Sequence, residues 1–173
     1  MEPVLTADVA PLTAVYAGTF DPLTLGHEDL LRRASALFGR LIVAVAAGHH
    51  KRTLFTADER LEIAREATAH YKNVEVMPFR GLLRDFMVQN GGKVVVRGVR
   101  GATDYDYEFQ MAGMNRQLMP DVETIFMTPG DRYAFVSSTF VREIATLGGD
   151  VSGFVAPSVL RRLQERVGSP TRT

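Results

Sequence analysis

The segment Ala14-Val15-Tyr16-Ala17-Gly18-Thr19-Phe20-Asp21-Pro22-Leu23-Thr24-Leu25-Gly26-His27 decides the fold. Its apolar run breaks at a glycine, turns at Asp-Pro and enters a helix that carries a histidine. Proline fixes φ at the turn and Thr24 suits an N-cap, which puts Gly26 and His27 in the first helical turn. Unpaired backbone N–H groups and the positive end of the helix dipole collect there and favour an anion. Gly26 has no side chain to keep a phosphate from the backbone, and His27 adds a donor. A lone Gly-His pair is more often a loop end beside a surface histidine. Two threonines, two glycines and a histidine bracketing one turn after one strand favour the phosphate reading.

Outward from that segment, strands and helices alternate. Leu12 to Ala17 is the first strand, and Leu25 to about Phe38 has helical apolar spacing, with Gly39 expected as its stop. Leu41 to Ala46 is a continuous apolar run, as in a parallel strand covered on both faces. Thr56-Ala57-Asp58-Glu59 is a capping box opening a helix to about Ala69. Asn73 to Met77 is a third strand, expected to end at Pro78, and Leu82 to about Val88 a helix stopped by Asn90-Gly91-Gly92. Val94-Val95-Val96 and Val122 to Met127 are the fourth and fifth strands, separated by a helix from Asp104 to about Met119. Helices to about Leu147 and from Pro157 to about Val167 complete the chain. The pattern predicts an α/β fold with a single-domain doubly wound five-stranded parallel sheet, Rossmann-like. The domain is expected over 12–167, with a flexible N-terminal extension at 1–11 and a C-terminal tail at 168–173.

Four donor-rich segments follow strand ends, where open parallel sheets bind ligands. They are the Gly18 to His27 turn, the basic loop Gly48-His49-His50-Lys51-Arg52, Arg97-Gly98-Val99-Arg100, and Ser137-Ser138-Thr139 with Arg142 one turn further on. Forked guanidinium donors beside a glycine suit a polyphosphate. Each segment alone has a plainer reading, as a solvated loop or a helix cap. Glu108 is either a solvated helix residue or an acceptor for a ribose or amino group, and composition does not decide.

With 173 residues, 46% of them hydrophobic, the chain can bury one core without staples. Lys plus Arg and Asp plus Glu both number 20, so charge gives no reason to expect nucleic acid or an anionic membrane as partner. The absence of cysteine excludes disulfides, thiolate metal sites and a cysteine nucleophile. No run approaches the 18 or so apolar residues of a membrane span, and the N-terminus lacks the pattern of a secretory signal, so a cytoplasmic location is expected. Neither G-x-x-x-x-G-K-[ST] nor G-x-G-x-x-G occurs, which argues against P-loop kinases and dinucleotide dehydrogenases.

Thr24-x-Gly26-His27 matches the (H/T)xGH motif of the nucleotidyltransferase superfamily. Three blocks together resemble its bacterial phosphopantetheine adenylyltransferase family: Gly18-Thr19-Phe20-Asp21-Pro22 with that motif, Arg97-Gly98-x-Arg100 with Glu108 and Met114-Asn115-Arg116, and Ser137-Ser138-Thr139-x-Val141-Arg142. The resemblance implies transfer of AMP from ATP to 4'-phosphopantetheine, giving dephospho-coenzyme A and pyrophosphate, with Mg2+ accompanying ATP and no protein metal ligand. It implies ATP contacts at Thr19, Phe20, His27, Gly98, Val99, Arg100, Glu108, Tyr133, Ala134, Phe135, Val136, Ser137, Ser138 and Thr139. Phosphopantetheine contacts are implied at Thr19, Lys51, Leu83 and Arg97, catalytic roles for His27, Lys51 and Thr19, and a homohexamer that handles coenzyme A as product or inhibitor. Leu25 and His49-His50 depart from the family pattern beside the acceptor end. The alternatives are nucleotidyl transfer to nicotinamide mononucleotide or glycerol phosphate, or a non-catalytic sensor of nucleotide or coenzyme A.

Overall fold

Strand β1 (Thr13–Gly18) is the centre of a sheet that also contains β2 (Arg40–Ala46), β3 (Val74–Phe79), β4 (Val94–Gly98) and β5 (Glu123–Met127). All pairings are parallel and the order is β3-β2-β1-β4-β5. The computed structural model describes residues 11–48 and 52–168. Of the expected extension and tail, it therefore includes only Pro11 and Gly168. The fold class matches the expectation, and every strand falls within two residues of its expected bounds.

The strand order explains where a ligand goes. Helices α1 (Leu25–Leu37) and α2 (Ala57–Thr68) cover one face, with α5 (Ser138–Thr146) and α6 (Pro157–Val167) packed into the same core. Helix α3 (Leu83–Asn90) covers the other face, followed by α4 (Ala102–Leu118). Alternation along β1 serves both layers, with Ala14 and Tyr16 in the first core and Val15 and Ala17 in the second. The chain changes direction across the sheet between β1 and β4, which leaves a crevice beyond their C-terminal ends at Gly18 and Gly98.

Two expected stops act differently. Pro78 does not end β3; it lies within it, in register with Val45. The bonds from Leu41 N–H to the Asn73 carbonyl and from Ala47 N–H to the Phe79 carbonyl turn the odd-numbered residues towards β2. The Pro78 nitrogen thus faces away from the ladder on an edge strand, where no bond is lost. Gly39 is not a left-handed cap, because α1 already ends at the extended Phe38. Its role is close approach: a Cβ there would stand 2.1 Å from the Pro11 Cβ. Gly91, with φ of 65°, does end α3 as expected.

Candidate active site

The capping box at the start of α1 is built from Thr24 and His27 themselves. Thr24 Oγ1 accepts the His27 N–H at 3.4 Å, and His27 Nδ1 accepts the Thr24 N–H at 3.0 Å. In most capping boxes a Glu or Gln at this third position returns the bond. An imidazole that accepts a backbone proton at Nδ1 carries its own proton on Nε2. Burial, reinforced by the Arg100 charge, pushes the His27 pKa down to about 4, so the ring is neutral at physiological pH. The chain thereby sets both the tautomer and the charge of His27.

Phe20 supports this ring from below. It is buried, adopts φ of 50°, and stands edge-on to His27 with centroids 5.2 Å apart and to Tyr16 at 5.3 Å. A left-handed backbone at a non-glycine residue is strained and persists only where its surroundings enforce it. Gly18 makes room for the ring in this conformation, since a Cβ there would stand 2.9 Å from Phe20 Cζ. Gly18 at the end of β1 and Phe20 two residues beyond it therefore place the aromatic floor on which His27 rests.

Two further devices tie this loop to the rest of the sheet edge. The buried Arg60 of α2 donates from Nη1 to the carbonyls of Thr19 (2.7 Å) and Ala46 (2.6 Å), and from Nε to that of Phe55 (3.3 Å). The buried Asp21 carboxylate accepts the N–H groups of Leu54 (2.8 Å) and Phe55 (2.9 Å). Arg142 donates to the Asp21 carbonyl and stands 3.5 Å from its carboxylate.

A cavity of about 280 Å³ opens above His27, walled by Gly26, Gly98 and Arg100 and by Val136 to Thr139 at the start of α5. Arg100 bridges two of its walls, from Nε to Asp104 Oδ2 at 2.8 Å and from Nη1 to the Val136 carbonyl at 3.2 Å. That pairing holds the Asp104 carboxyl below its ordinary range. Ser137 caps α5 by accepting the Phe140 N–H, and Ser138 donates to the Pro22 carbonyl at 2.8 Å, joining α5 to the Asp-Pro turn. Arg97 forms a bidentate pair with Glu108 at 2.6 and 2.7 Å, and its Nη1 donates to the Ala17 carbonyl at 2.8 Å. A neutral donor, Arg100 and a helix N-terminus around one cavity, with Arg97 beside it, suit a polyphosphate with charge developing at one phosphorus.

A family model described as cytidylyltransferase-like matches residues 15–144. The phosphopantetheine adenylyltransferase of Bordetella avium is 64% identical over 155 residues, 90% of this chain and 93% of that one. Those of Paraburkholderia phymatum and Cupriavidus necator are each 62% identical, covering 91% of this chain and 94% and 98% of theirs. The chain belongs to the phosphopantetheine adenylyltransferase family. Among solved structures, the nicotinic acid mononucleotide adenylyltransferase of Plasmodium falciparum, complexed with NaAD, superposes with a TM-score of 0.68. It is 12% identical over 90% of this chain and 96% of that one, a likeness of fold alone.

Of the residues expected from sequence to contact a substrate, nine line the cavity: His27, Gly98, Arg100, Glu108, Tyr133, Val136, Ser137, Ser138 and Thr139, together with Thr24 and Gly26 of the motif. The others lie elsewhere. Thr19 borders the loop and gives its carbonyl to Arg60, while Phe20 and Val99 are buried behind the wall. Ala134 and the exposed Phe135 follow the 3₁₀ turn Asp131–Tyr133 outside the lining, and Leu83 opens α3 on the opposite face of the sheet. Arg97 approaches from beneath, already paired. Lys51, His49 and His50 lie outside the described residues. Tyr16, Asp104 and Pro129 also line the cavity. Tyr16 was within reach of sequence reading, being a polar-tipped residue two positions before the glycine that ends β1, on the side of the sheet that α1 covers.

Proposed function

We propose that the chain transfers AMP from ATP to 4'-phosphopantetheine, releasing pyrophosphate and forming dephospho-coenzyme A in coenzyme A biosynthesis. The observation that carries this reading is His27, a neutral imidazole with its Nε2 proton set by the capping box, in a cavity walled by Arg100 and the N-terminus of α5. The acceptor phosphate has a second pKa of about 6 and is largely dianionic near neutral pH, so it needs no general base. One of its oxygens attacks the α-phosphorus in line. The bond from that phosphorus to the bridging oxygen breaks, and pyrophosphate leaves without a covalent enzyme intermediate.

In this reading His27 donates to the α-phosphate, while Arg100 and the Ser137 to Thr139 helix start hold the β and γ phosphates. Thr19 orients both substrates, and Phe20, Gly98, Val99, Glu108 and Tyr133 to Val136 complete the nucleotide site. Lys51 and Arg97 take the acceptor phosphate, with Leu83 along the pantetheine arm. Arg97 exchanges part of its Glu108 pairing for that phosphate. The rim carboxylates Asp104 and Glu108 are both engaged by arginines, and among the described residues no three His, Asp or Glu side chains cluster as metal ligands. This donor set fits a Mg2+ ion held by ATP phosphates and water, which the ion prefers to keep.

A homohexamer is part of the proposal. Helix α4 buries none of its residues within the chain, although Tyr105, Tyr107, Phe109, Met111, Met114 and Leu118 are all exposed on it. Further copies of the chain would cover that surface. Coenzyme A is proposed as an inhibitor that competes for the same cavity. Among the described residues no helix is long and apolar enough to cross a membrane.

The deciding experiment is pyrophosphate release with Mg2+ and ATP, comparing phosphopantetheine, nicotinamide mononucleotide, glycerol phosphate and no acceptor. Release with phosphopantetheine alone is expected. Release with another acceptor overturns the acceptor assignment, and ATP binding without release from any of them indicates a sensor.

A further inference from the structure

Tyr16 is the one aromatic of the central strand, and its surroundings fix the ring. It pairs in register with Val43 on one side and Val96 on the other, and is 5% exposed. Phe20 stands edge-on to it, and the His27 ring lies beside it with centroids 6.4 Å apart. What exposure it keeps faces the cavity, whose wall it forms with Gly98 and Glu108. A Cβ at Gly98 would stand 2.6 Å from Leu30 Cδ1 and 3.5 Å from the Tyr16 hydroxyl, so glycine lets the end of β4 pack closely beside this oxygen.

Buried tyrosine hydroxyls normally find a hydrogen-bond partner. This one makes no hydrogen bond to a described residue and opens on the cavity instead. The charges that surround it are Arg97, Arg100 and Glu108. Each guanidinium is matched by a carboxylate, Arg97 by Glu108 and Arg100 by Asp104, so an anionic oxygen in the space the hydroxyl faces meets an unengaged donor only at the phenol and the neutral His27. Burial pushes the phenol pKa well above its ordinary value, so the group enters as a neutral donor.

We propose that the Tyr16 hydroxyl is a further ligand contact of this cavity, donating its proton to a non-bridging oxygen of the nucleotide α-phosphate beside His27. The inference rests on the adenylyl-transfer reading. The phenol adds a second neutral donor that does not have to leave a carboxylate partner first, unlike Arg97 and Arg100. Held by the central strand, it is also positioned before the ligand arrives, which is the condition for electrostatic stabilisation without reorganisation.

Tyr16→Phe deletes one oxygen and keeps the ring packing, which makes it the test. A hydrogen bond to a charged group changes an equilibrium by roughly 10- to 100-fold. The variant is expected to lose about that factor in kcat/KM for ATP, while the melting temperature and the KM for phosphopantetheine stay at wild-type values. The two diastereomers of ATP carrying sulfur on the α-phosphorus give a readout that packing would not move. The wild type should discriminate between them more strongly than Tyr16→Phe does. An ATP kcat/KM within twofold of wild type, or equal losses for both substrates with a lowered melting temperature, overturns the proposal. If the wild type itself releases no pyrophosphate with any acceptor, the functional reading fails separately. Calorimetric titration of both proteins with MgATP then decides the Tyr16 contact, with equal affinities counting against it.

Discussion

Replacing Arg60 by methionine should destabilise the protein by about 3–4 kcal/mol, and the figure follows from what its guanidinium holds. Its Nη1 contacts with Thr19 and Ala46 are short, at 2.7 and 2.6 Å, and the third contact, with Phe55, is longer. Arg60 is 3% exposed, so water cannot replace it without opening the fold. Each buried carbonyl left unpaired costs about 1–3 kcal/mol, and two such carbonyls set the scale at roughly 2–6 kcal/mol. Asp21 also loses a nearby positive charge, although Arg142 remains beside it. Relief from burying a guanidinium offsets part of the loss, while methionine retains the packing of the stem. With a urea dependence of about 2 kcal/mol per molar, the unfolding midpoint should fall by roughly 1.5–2 M at unchanged slope. Protein concentration must be held constant in the titrations, because the proposed assembly would contribute to apparent stability. Arg60→Lys, which can reach one carbonyl, should fall between wild type and Arg60→Met. A midpoint within about 0.3 M of wild type for Arg60→Met would falsify the view that these carbonyls depend on Arg60.

Three further outcomes are expected. The His27 pKa falls from 6.5 in the ordinary state to about 4 in the fold, so the unfolded chain takes the proton first. Its stabilising contribution is complete above about pH 6.5 and is lost as pH falls to about 4, amounting to about 3 kcal/mol. Denaturant titrations of wild type and His27→Gln across that interval should show the steeper decline in wild type, and parallel curves would contradict the neutral imidazole. Gly18→Ala should lower kcat by at least about tenfold, because its methyl group displaces the Phe20 ring on which His27 rests; an unchanged kcat would show that the floor can yield. Met114→Glu on the exposed face of α4 should shift the protein to smaller species in light scattering, whereas an unaltered mass would place the subunit contacts elsewhere.

How much could be read from sequence depended on whether the cause was local. The β1 turn, the Thr56 capping box and the Gly91 stop were legible because each rests on residues within four positions of one another. The layer structure was legible from unbroken apolar runs such as Leu41 to Ala46. Pro78 was misread because a proline ends a strand only if its nitrogen faces the ladder, and that depends on which strand lies at the edge. Gly39 was misread because its neighbour is Pro11, 28 positions away. At the site, the arginines at and after the end of β4 were visible but their partners were not. Glu108 meets Arg97 only after a strand end, a turn and two turns of α4. The role of Arg60 could not be read at all, since backbone carbonyls leave no trace in a sequence.

The orientation of Pro78 bears on how this molecule can meet others. An open sheet exposes a row of backbone donors and acceptors along each border, to which a foreign strand can zip and extend the sheet without limit. On the β3 border, the outward position held by Pro78 offers no proton and puts a ring where an added strand would lie. Growth in that direction is blocked at the level of the main chain. The proposed association of copies would then use surfaces of defined shape, such as the bare side of α4, where complementary side chains can limit the number of subunits.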